Sequence, residues 1–251
     1  MSKTKIEYLD YCWNFYPGCL NGCSYCWAHN RARRFNKGDF TPRLRLELLL
    51  EPLKWKKPSR IGVCFTGDLF GDWVEPEKRL VLPIGLGLEN WLDTISLRSL
   101  IFRIIEHCPQ HTFIFLTKQP QNLVKWSPFP DNCWVGVSCT DEFDFMRHIS
   151  HLEKLEVTVK FISFEPLLGW KGVQGFDTLL KQSCQWVIIG QCTPVKASTS
   201  PRIAWIEEIE KAADKAGIPV FLKNNLEKLW PLDWKGALRQ EFPLVNRERV
   251  K

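Results

Sequence analysis

The chain has 251 residues, of which 45% are hydrophobic and 25% charged, and its formal net charge is +6. That length is enough for one large domain, or a domain with a small appendage, around a sizeable core. A membrane span is excluded because no run of 18 apolar residues occurs. No apolar stretch follows Met1, so we expect no signal peptide. We therefore expect a cytoplasmic protein whose ten cysteines bind metal or pack as small hydrophobic residues.

The positive charge is concentrated in the first quarter of the chain. Residues 1–60 hold 12 Lys and Arg against 5 Asp and Glu, whereas the remainder holds 22 against 23. Such an excess is typical of a surface that attracts phosphates, so a nucleic acid or a nucleotide-like substrate is one interpretation. The other interpretation is a solvated helix face followed by a basic loop.

The first predicted strand, residues 7–13, leads into a loop with the spacing C-x3-C-x2-C at Cys19, Cys23 and Cys26. Three thiolates can hold a [4Fe–4S] cluster and leave its fourth iron open to another ligand. Zinc is an alternative, because His29 could supply the fourth ligand that a structural zinc site needs. Chance occurrence of the spacing among ten cysteines is the remaining interpretation.

Strands and helices are predicted to alternate after the cysteine loop. Helices are expected over residues 28–36, 97–107, 142–155 and 203–216, the last ending at Gly217. Six apolar runs predict buried parallel strands: residues 61–65, 112–116, 134–137, 159–162, 186–189 and 220–222. Together with residues 7–13 they make seven strands. This alternation predicts an α/β fold with a parallel open sheet or barrel.

Two segments depart from the alternation. Residues 71–98, which contain several Trp, Pro and Gly residues, predict an insertion that acts as a lid or substrate loop. The alternative is a surface excursion that covers a barrel edge. Residues 1–225 are therefore expected to form the main domain, and residues 226–251 a C-terminal cap or tail.

Polar clusters follow the predicted strands at their carboxyl ends, where sites form in parallel α/β proteins. The clusters are Thr66-Gly67-Asp68, Thr117-Lys118-Gln119, Ser138-Cys139-Thr140-Asp141, Ser163-Phe164-Glu165-Pro166, Gly190-Gln191-Cys192 and Lys223-Asn224-Asn225. Each alone could be a turn or a helix N-cap, and capping is expected for Thr140 and Asp141. Six clusters on one edge predict the active-site face.

The cysteine loop, with the aromatic Tyr25 before its third cysteine, resembles the radical SAM superfamily. More closely, the chain resembles the phage Gp37/Gp68-like (DUF5131) family. The matching segments cover most of the chain: Trp13-Asn14, Gly18-Cys19, Gly67-Asp68-Leu69-Phe70, Trp73-Val74, Phe115-Leu116-Thr117-Lys118-Gln119-Pro120, Trp134-Val135-Gly136-Val137-Ser138, Phe161-Ile162-Ser163-Phe164-Glu165-Pro166-Leu167-Leu168-Gly169, Trp186-Val187-Ile188-Ile189-Gly190 and Gly217-Ile218-Pro219-Val220-Phe221-Leu222-Lys223. The resemblance implies a partial (β/α)6 TIM-like barrel of parallel strands with an additional C-terminal strand and cap.

The resemblance also implies an activity. Cys19, Cys23 and Cys26 would bind a [4Fe–4S] cluster whose open iron takes S-adenosylmethionine (SAM). Reductive cleavage of SAM would give methionine and a 5′-deoxyadenosyl radical that abstracts hydrogen from an unidentified substrate, with a nucleic acid or nucleotide as one option. An electron donor such as flavodoxin or ferredoxin is implied as a partner.

Several rim residues are implied as SAM contacts. Thr66 and Asp68 lie where the superfamily contacts the SAM amino group, and Asp68 is alternatively a turn residue after Gly67. Ser138 is placed for the ribose hydroxyls or the carboxylate of SAM. Tyr25 is expected to hold the adenine edge through its backbone.

Two charged residues and two cysteines complete the expected rim. Glu165 is assigned to ribose or substrate, and Lys118 to the SAM carboxylate or a substrate phosphate. The alternative for both is a structural salt bridge across the barrel mouth. Cys139 or Cys192 could donate a hydrogen atom to a substrate radical, and the alternative for each is an ordinary buried thiol.

The chain departs from the family pattern at two points. Gly190-Gln191-Cys192 stands where the family tends to continue Gly-Gly-Glu, and Lys223-Asn224-Asn225 stands where it tends towards Lys-Gln-Trp. Both differences lie on the expected substrate rim and bear on specificity. The competing function is a non-catalytic nucleic-acid-binding protein with a structural zinc or iron–sulfur site.

Overall fold

The computed structural model describes residues 1–35, 38–81, 94–230 and 236–244. The strands in these residues are β1 Ser2–Lys3, β2 Tyr11–Trp13, β3 Arg60–Val63, β4 Arg79–Val81, β5 Thr94–Ser96, β6 Thr112–Thr117, β7 Cys133–Ser138, β8 Val159–Phe164, β9 Trp186–Ile189 and β10 Val220–Leu222. The α-helices are α1 Trp27–Phe35, α2 Leu97–Glu106, α3 Glu142–Glu153, α4 Phe176–Ser183 and α5 Ile203–Ala216.

Eight of the strands form one sheet in the order β1-β2-β3-β6-β7-β8-β9-β10. All neighbouring pairs are parallel except β1 and β2. The seven predicted parallel strands are confirmed, and they lie side by side in chain order. The mixed α/β class is confirmed as well. Within the described residues β1 and β10 remain the two edges, so a closed barrel is not formed.

The predicted helices are present within a residue or two of their expected bounds. Asp141 caps α3, because its carboxylate accepts a hydrogen bond from the Asp144 amide at 2.8 Å. Gly217 ends α5 in the left-handed conformation, with φ of 71°. α4 was not predicted. In the described part of the chain no helix is both long and apolar enough to cross a bilayer.

The sheet buries apolar side chains on both faces. On one face, α2, α3 and α5 cover the larger part of the core, including Leu100, Phe145 and Ile206. On the other face a smaller cluster includes Tyr8, which precedes β2. Its ring packs edge-on against Trp186 of β9, with centroids 5.6 Å apart. Four strands separate β2 from β9 in the sheet order, so this contact requires the sheet to curve strongly.

Parts of the predicted insertion and cap lie outside the described residues. In the insertion, β4 and β5 pair antiparallel, with Val81 opposite Thr94. Residues 82–93, the middle of the expected lid, are not among the described residues, and neither are 231–235 and 245–251 of the expected cap. In the C-terminal part, Gln240 forms an antiparallel bridge with Phe221 of β10.

Candidate active site

Asp68 lies at the centre of a hydrogen-bond network at the carboxyl edge of the sheet. Its Oδ1 accepts from the Thr117 hydroxyl at 2.8 Å and from the Phe70 amide at 3.1 Å. Its Oδ2 accepts from Asn21 Nδ2 at 2.9 Å and from the Lys118 amide at 3.1 Å. Burial raises the pKa of the Asp68 carboxyl, and these donors oppose the rise. Asp68 therefore ties β3, β6 and the cysteine loop together.

A second set of contacts continues along the edge from β6 to β8. The Lys118 ammonium donates to Ser138 Oγ at 2.7 Å and lies 5.2 Å from the centre of the Tyr25 ring. Ser138 Oγ in turn donates to the Glu165 carbonyl at 3.0 Å. Among the described residues no carboxylate forms an ion pair with Lys118. Its charge is therefore available to an anion.

Glu165 is paired across the mouth of the sheet. Its Oε1 accepts from the ammonium of Lys223, which follows β10, and both side chains are largely buried. Gly190, at the end of β9 between them, makes room for the pair. A Cβ there would lie 2.9 Å from Lys223 Cδ and 3.2 Å from Glu165 Cδ. The salt-bridge alternative is thus observed for Glu165, and in the described part of the chain it is not observed for Lys118.

Two glycines hold the cysteine loop against the end of β3. Gly18 forms a parallel bridge with Gly67, and its amide donates to the Thr66 carbonyl at 3.1 Å. Gly18 has φ of +94°, and a Cβ on it would lie 2.5 Å from the Thr41 carbonyl oxygen. A Cβ on Gly67 would lie 2.5 Å from the Tyr16 carbonyl oxygen. Glycine is required at both positions because backbone approaches backbone here.

Cys19, Cys23 and Cys26 are half-buried and none is in a disulfide. The sulfur of Cys19 accepts the Asn21 amide, and the sulfur of Cys26 accepts the His29 amide, each at 3.4 Å. Amide donors of this kind stabilise negative charge on sulfur and tune iron–sulfur centres.

The donor chemistry of the loop suits an iron–sulfur cluster. Burial raises the pKa of Cys19 to about 12; the Asn21 amide opposes the rise, and nearby Asp68, Cys23 and Cys26 add to it. A bound metal centre would stabilise the thiolate form and so oppose the rise in the pKa of Cys19. Within the described residues no group of three or more His, Cys, Asp or Glu side chains is arranged to hold a metal ion. Binding therefore requires the three thiols to turn towards one another.

His29 takes part in a different contact from the one that zinc binding would require. Its ring stacks on Phe40, with centroids 5.3 Å apart and planes 16° from parallel. The set of Cys19, Cys23, Cys26 and His29 is not assembled as a metal site among the residues described. The zinc alternative stays untested.

The two rim cysteines have different surroundings. Cys192 lines a cavity of about 130 Å³ together with Ser24 and Tyr25 of the cysteine loop. Cys139 is fully buried in the helix-side core, where its sulfur lies 3.7 Å from His148 Nδ1. Burial raises the pKa of the Cys139 thiol well above its ordinary value. Of the two, Cys192 is the one beside the cysteine loop.

Thr66 lies apart from the network of Asp68. Its amide donates to Asn14 Oδ1 at 3.1 Å, and the residue lines a second cavity, of about 270 Å³, beside α1. The remaining predicted contacts, Tyr25, Asp68, Lys118, Ser138 and Glu165, are joined to one another by the hydrogen bonds and ring contact described above.

Four amide side chains at this edge were missed as functional residues. Gln119 Nε2 donates to Asn21 Oδ1 at 2.6 Å, which positions the Asn21 amide for Asp68. Gln191 and Asn225 bond reciprocally: Asn225 Nδ2 donates to the Gln191 carbonyl at 2.8 Å, and Gln191 Nε2 donates to the Asn225 carbonyl. The available signal was the position of Gln119, Gln191 and Asn225 within the polar clusters and of Asn21 within the cysteine loop. None of the four is titratable, so none was singled out.

These features define a mixed α/β protein with a polar site at the carboxyl edge of a mostly parallel sheet. A family model matches residues 3–82 and 90–230. The chain therefore belongs to the family described as protein of unknown function (DUF5131), which confirms the family predicted from its segments. Comparison with curated proteins gives no match. Membership of the wider radical SAM superfamily stays a prediction.

Proposed function

We propose that this chain is a radical SAM enzyme built on a partial (β/α)6 TIM-like barrel. The observation that carries the proposal is the link between the cysteine loop and the strand ends. Asn21, between Cys19 and Cys23, donates to Asp68, which also accepts the Lys118 amide. The three thiols therefore lie beside the edge where parallel α/β proteins bind ligands. A purely structural metal site has no need of that connection.

Cys19, Cys23 and Cys26 are the residues that would hold the [4Fe–4S] cluster. A reduced cluster here would supply the electron for cleavage of SAM into methionine and a 5′-deoxyadenosyl radical, with flavodoxin or ferredoxin as the source of that electron. The chain contributes amide hydrogen bonds from Asn21 and His29 to two of the sulfurs. The glycine bridge keeps the loop at a fixed place beside β3.

Lys118 is the residue best suited to the SAM carboxylate. Its ammonium is half-buried and has no carboxylate partner in the described part of the chain, so an incoming carboxylate would find an unneutralised cation. Ser138 accepts from this ammonium and fixes its direction. The Tyr25 ring faces the ammonium at 5.2 Å, a cation–π distance.

The other assigned contacts take narrower roles. Both Asp68 oxygens already accept two hydrogen bonds, so a SAM ammonium would have to displace a donor. Asp68 is accordingly proposed as a positioning residue, and Thr66 is not proposed as a SAM contact because it lines the cavity beside α1 and not this network. Glu165 is held by Lys223 through Oε1, which leaves Oε2 for a ribose hydroxyl or the substrate. Cys192 is preferred to Cys139 as hydrogen-atom donor because it lines a cavity beside Tyr25.

Anaerobic reconstitution with iron and sulfide tests the proposal. We expect a brown protein whose reduced form gives a cluster signal in electron paramagnetic resonance and which makes 5′-deoxyadenosine from SAM with dithionite, or with flavodoxin or ferredoxin as donor. Cys23→Ala should lose iron and SAM cleavage, because two thiolates cannot hold the cluster. Cys184→Ala is the matched control, because Cys184 follows α4 and lies outside the cysteine loop. This variant should bind as much iron as the wild-type protein.

Two outcomes would overturn this function. One is stoichiometric zinc with no binding of SAM, and the other is SAM cleavage that survives Cys23→Ala. The zinc outcome would favour the second candidate, a non-catalytic nucleic-acid-binding protein with a structural metal site. The exposed arginines of α1 are the observation in favour of that candidate.

A further inference from the structure

The cavity beside α1 is lined by aromatic side chains that could bind a planar ring. It measures about 270 Å³, slightly below the range of about 300–1,000 Å³ usual for small-molecule sites. Its walls include Gly18, Trp27, Phe35 and Phe40. Trp27 is 45% exposed and Phe35 is 68% exposed. Large apolar rings standing this far into solvent at the edge of a cavity are available to stack on a flat ligand.

The surroundings of the cavity carry unneutralised positive charge. Arg31 lines the cavity, with its guanidinium 5.6 Å from the centre of the Phe35 ring. Arg33 and Arg34 follow on the same helix and are exposed. In the described residues no carboxylate pairs with any of these three arginines. The acidic residue of the cavity wall, Asp39, is already paired with Arg43 at 3.1 Å, so the local charge stays positive.

We propose that α1 and this cavity bind single-stranded nucleic acid. One base would stack on Phe35 at the cavity, Trp27 would be open to a neighbouring base, and phosphates between them would meet the guanidinium groups of Arg31 and Arg34. A duplex fits less well, because paired bases cannot offer their faces to a protein ring. A single nucleotide fits less well, because Arg34 carries charge beyond the cavity wall and would have no phosphate to meet.

The position of α1 links this site to the proposed enzyme. The helix begins at Trp27, directly after Cys26, and the cavity also reaches Gly18, directly before Cys19. A strand bound here would pass beside the cysteine loop, which makes single-stranded nucleic acid the substrate class. The assignment as substrate rests on the proposed function, whereas the binding itself does not.

Fluorescence anisotropy with a labelled oligothymidylate of about 12 nucleotides tests the binding. The wild-type full chain should bind it with a steep dependence on salt. In Arg31→Gln/Arg34→Gln the slope of log affinity against log salt should fall by about 1.4, because two single-strand phosphate contacts are lost. Lys56→Gln/Lys57→Gln removes the same charge from exposed positions of the same basic segment and should leave the slope unchanged.

A second pair of variants tests the stacking. Phe35→Ala should weaken binding by about 5- to 150-fold, the usual effect of removing one stacking ring. Phe143→Ala is the matched control, because Phe143 is similarly exposed but lies on α3. Since Phe35 and Phe143 are both on the surface, loss of folding should not confuse the comparison.

Several results would overturn the inference. The first is an equal change of the salt slope in the two charge variants. The second is a duplex of the same length that binds as tightly as the single strand. The third is thymidine monophosphate that competes for the site as well as the unlabelled oligonucleotide does. The experiments distinguish a failure of this inference from a failure of the proposed radical SAM function. A chain that cleaves SAM without binding the strand contradicts only this inference. A chain that binds the strand as expected but never cleaves SAM contradicts only the proposed enzyme.

Discussion

The contacts of Asp68 in the folded chain revise the role that its position in the sequence indicates. Its place after β3 indicated either a ligand contact or a turn residue. In the folded chain it is buried and accepts from Asn21, Phe70, Thr117 and Lys118, so its main effect is to join the cysteine loop to two strands. Buried carboxylates of this kind are costly to disturb, because each donor they satisfy is left without a partner.

We predict that Asp68→Ala lowers the free energy of unfolding by about 3 kcal/mol, since four donors lose their acceptor and water can reach only some of them. Urea denaturation of the full chain is the measurement. Thr117→Val removes one of the four donors, together with the acceptor of the Gln119 amide, and should cost about 1–2 kcal/mol. Equal losses in the two variants would show that Asp68 does not organise the network.

At the scale of elements, the ends of β8, β9 and β10 form one unit. The Glu165–Lys223 pair spans β9, and Gly190 at its centre leaves the space that the two side chains need. Gln191 and Asn225 also meet here, because each side chain hydrogen-bonds the backbone of the other residue. These bonds join the end of β9 to the end of β10.

Gly190→Ala should lower the free energy of unfolding by about 1–3 kcal/mol, because the added methyl group overlaps Lys223 Cδ and pushes the ion pair apart. Gly169→Ala provides the comparison on the same edge. Its nearest neighbour would be Asp141 Cβ at 3.8 Å, an ordinary contact, so we expect a change within about 0.5 kcal/mol. Thermal or urea unfolding of both variants checks the prediction, which fails if the two changes are alike.

For the molecule as a whole, the C-terminal segment seals the end of the sheet opposite the candidate site. The Glu241 amide donates to the Val220 carbonyl at 3.0 Å and Trp186 Nε1 donates to the Glu241 carbonyl at 2.8 Å, and Val220 and Trp186 are the first residues of their strands. Phe242 packs on Trp186, with ring centroids 5.5 Å apart. In parallel α/β folds the amino ends of the strands serve stability, while the carboxyl ends carry function. In this protein, too, the C-terminal segment packs at the amino ends of the strands, and the polar candidate site lies at their carboxyl ends.

We predict that Phe242→Ala costs about 2 kcal/mol of stability, less than a fully buried ring, because the side chain is half-buried against Trp186, Phe221 and Arg60. Leu244→Ala, two residues away at a fully exposed position, should change stability by less than about 0.5 kcal/mol. Chemical denaturation would compare them, and similar values for the two would contradict the sealing role of Phe242.

The parallel strands could be predicted because each is buried on both faces and so carries an unbroken apolar run, as in Val135–Val137 and Val187–Ile189. β1 could not be predicted, since two residues cannot display a pattern and the strand exists only through pairing with β2. α4 follows Gly175 in the left-handed conformation and is only eight residues long, so tertiary packing decides it more than propensity does.

The candidate site, too, could be predicted from the sequence only in part. The order of the rim clusters could be foreseen, because carboxyl ends of parallel strands meet at one edge whatever the details of packing. The partners of each side chain could not, as Glu165 and Lys223 stand 58 residues apart in the chain. Likewise, Cys139 and Cys192 both follow strands, but the turn of the backbone places one in the core and the other on a cavity.

The sequence by itself determined the alternation of strands and helices, the family and the position of the cysteine loop before α1, because these depend on local pattern and spacing. Only the tertiary structure decided which charges are neutralised and which remain free. Asp68 and Glu165 are satisfied by residues distant in the chain, while Lys118 and the arginines of α1 meet no carboxylate in the described residues. Electrostatic pairing depends on distance in space, and only the fold sets that distance.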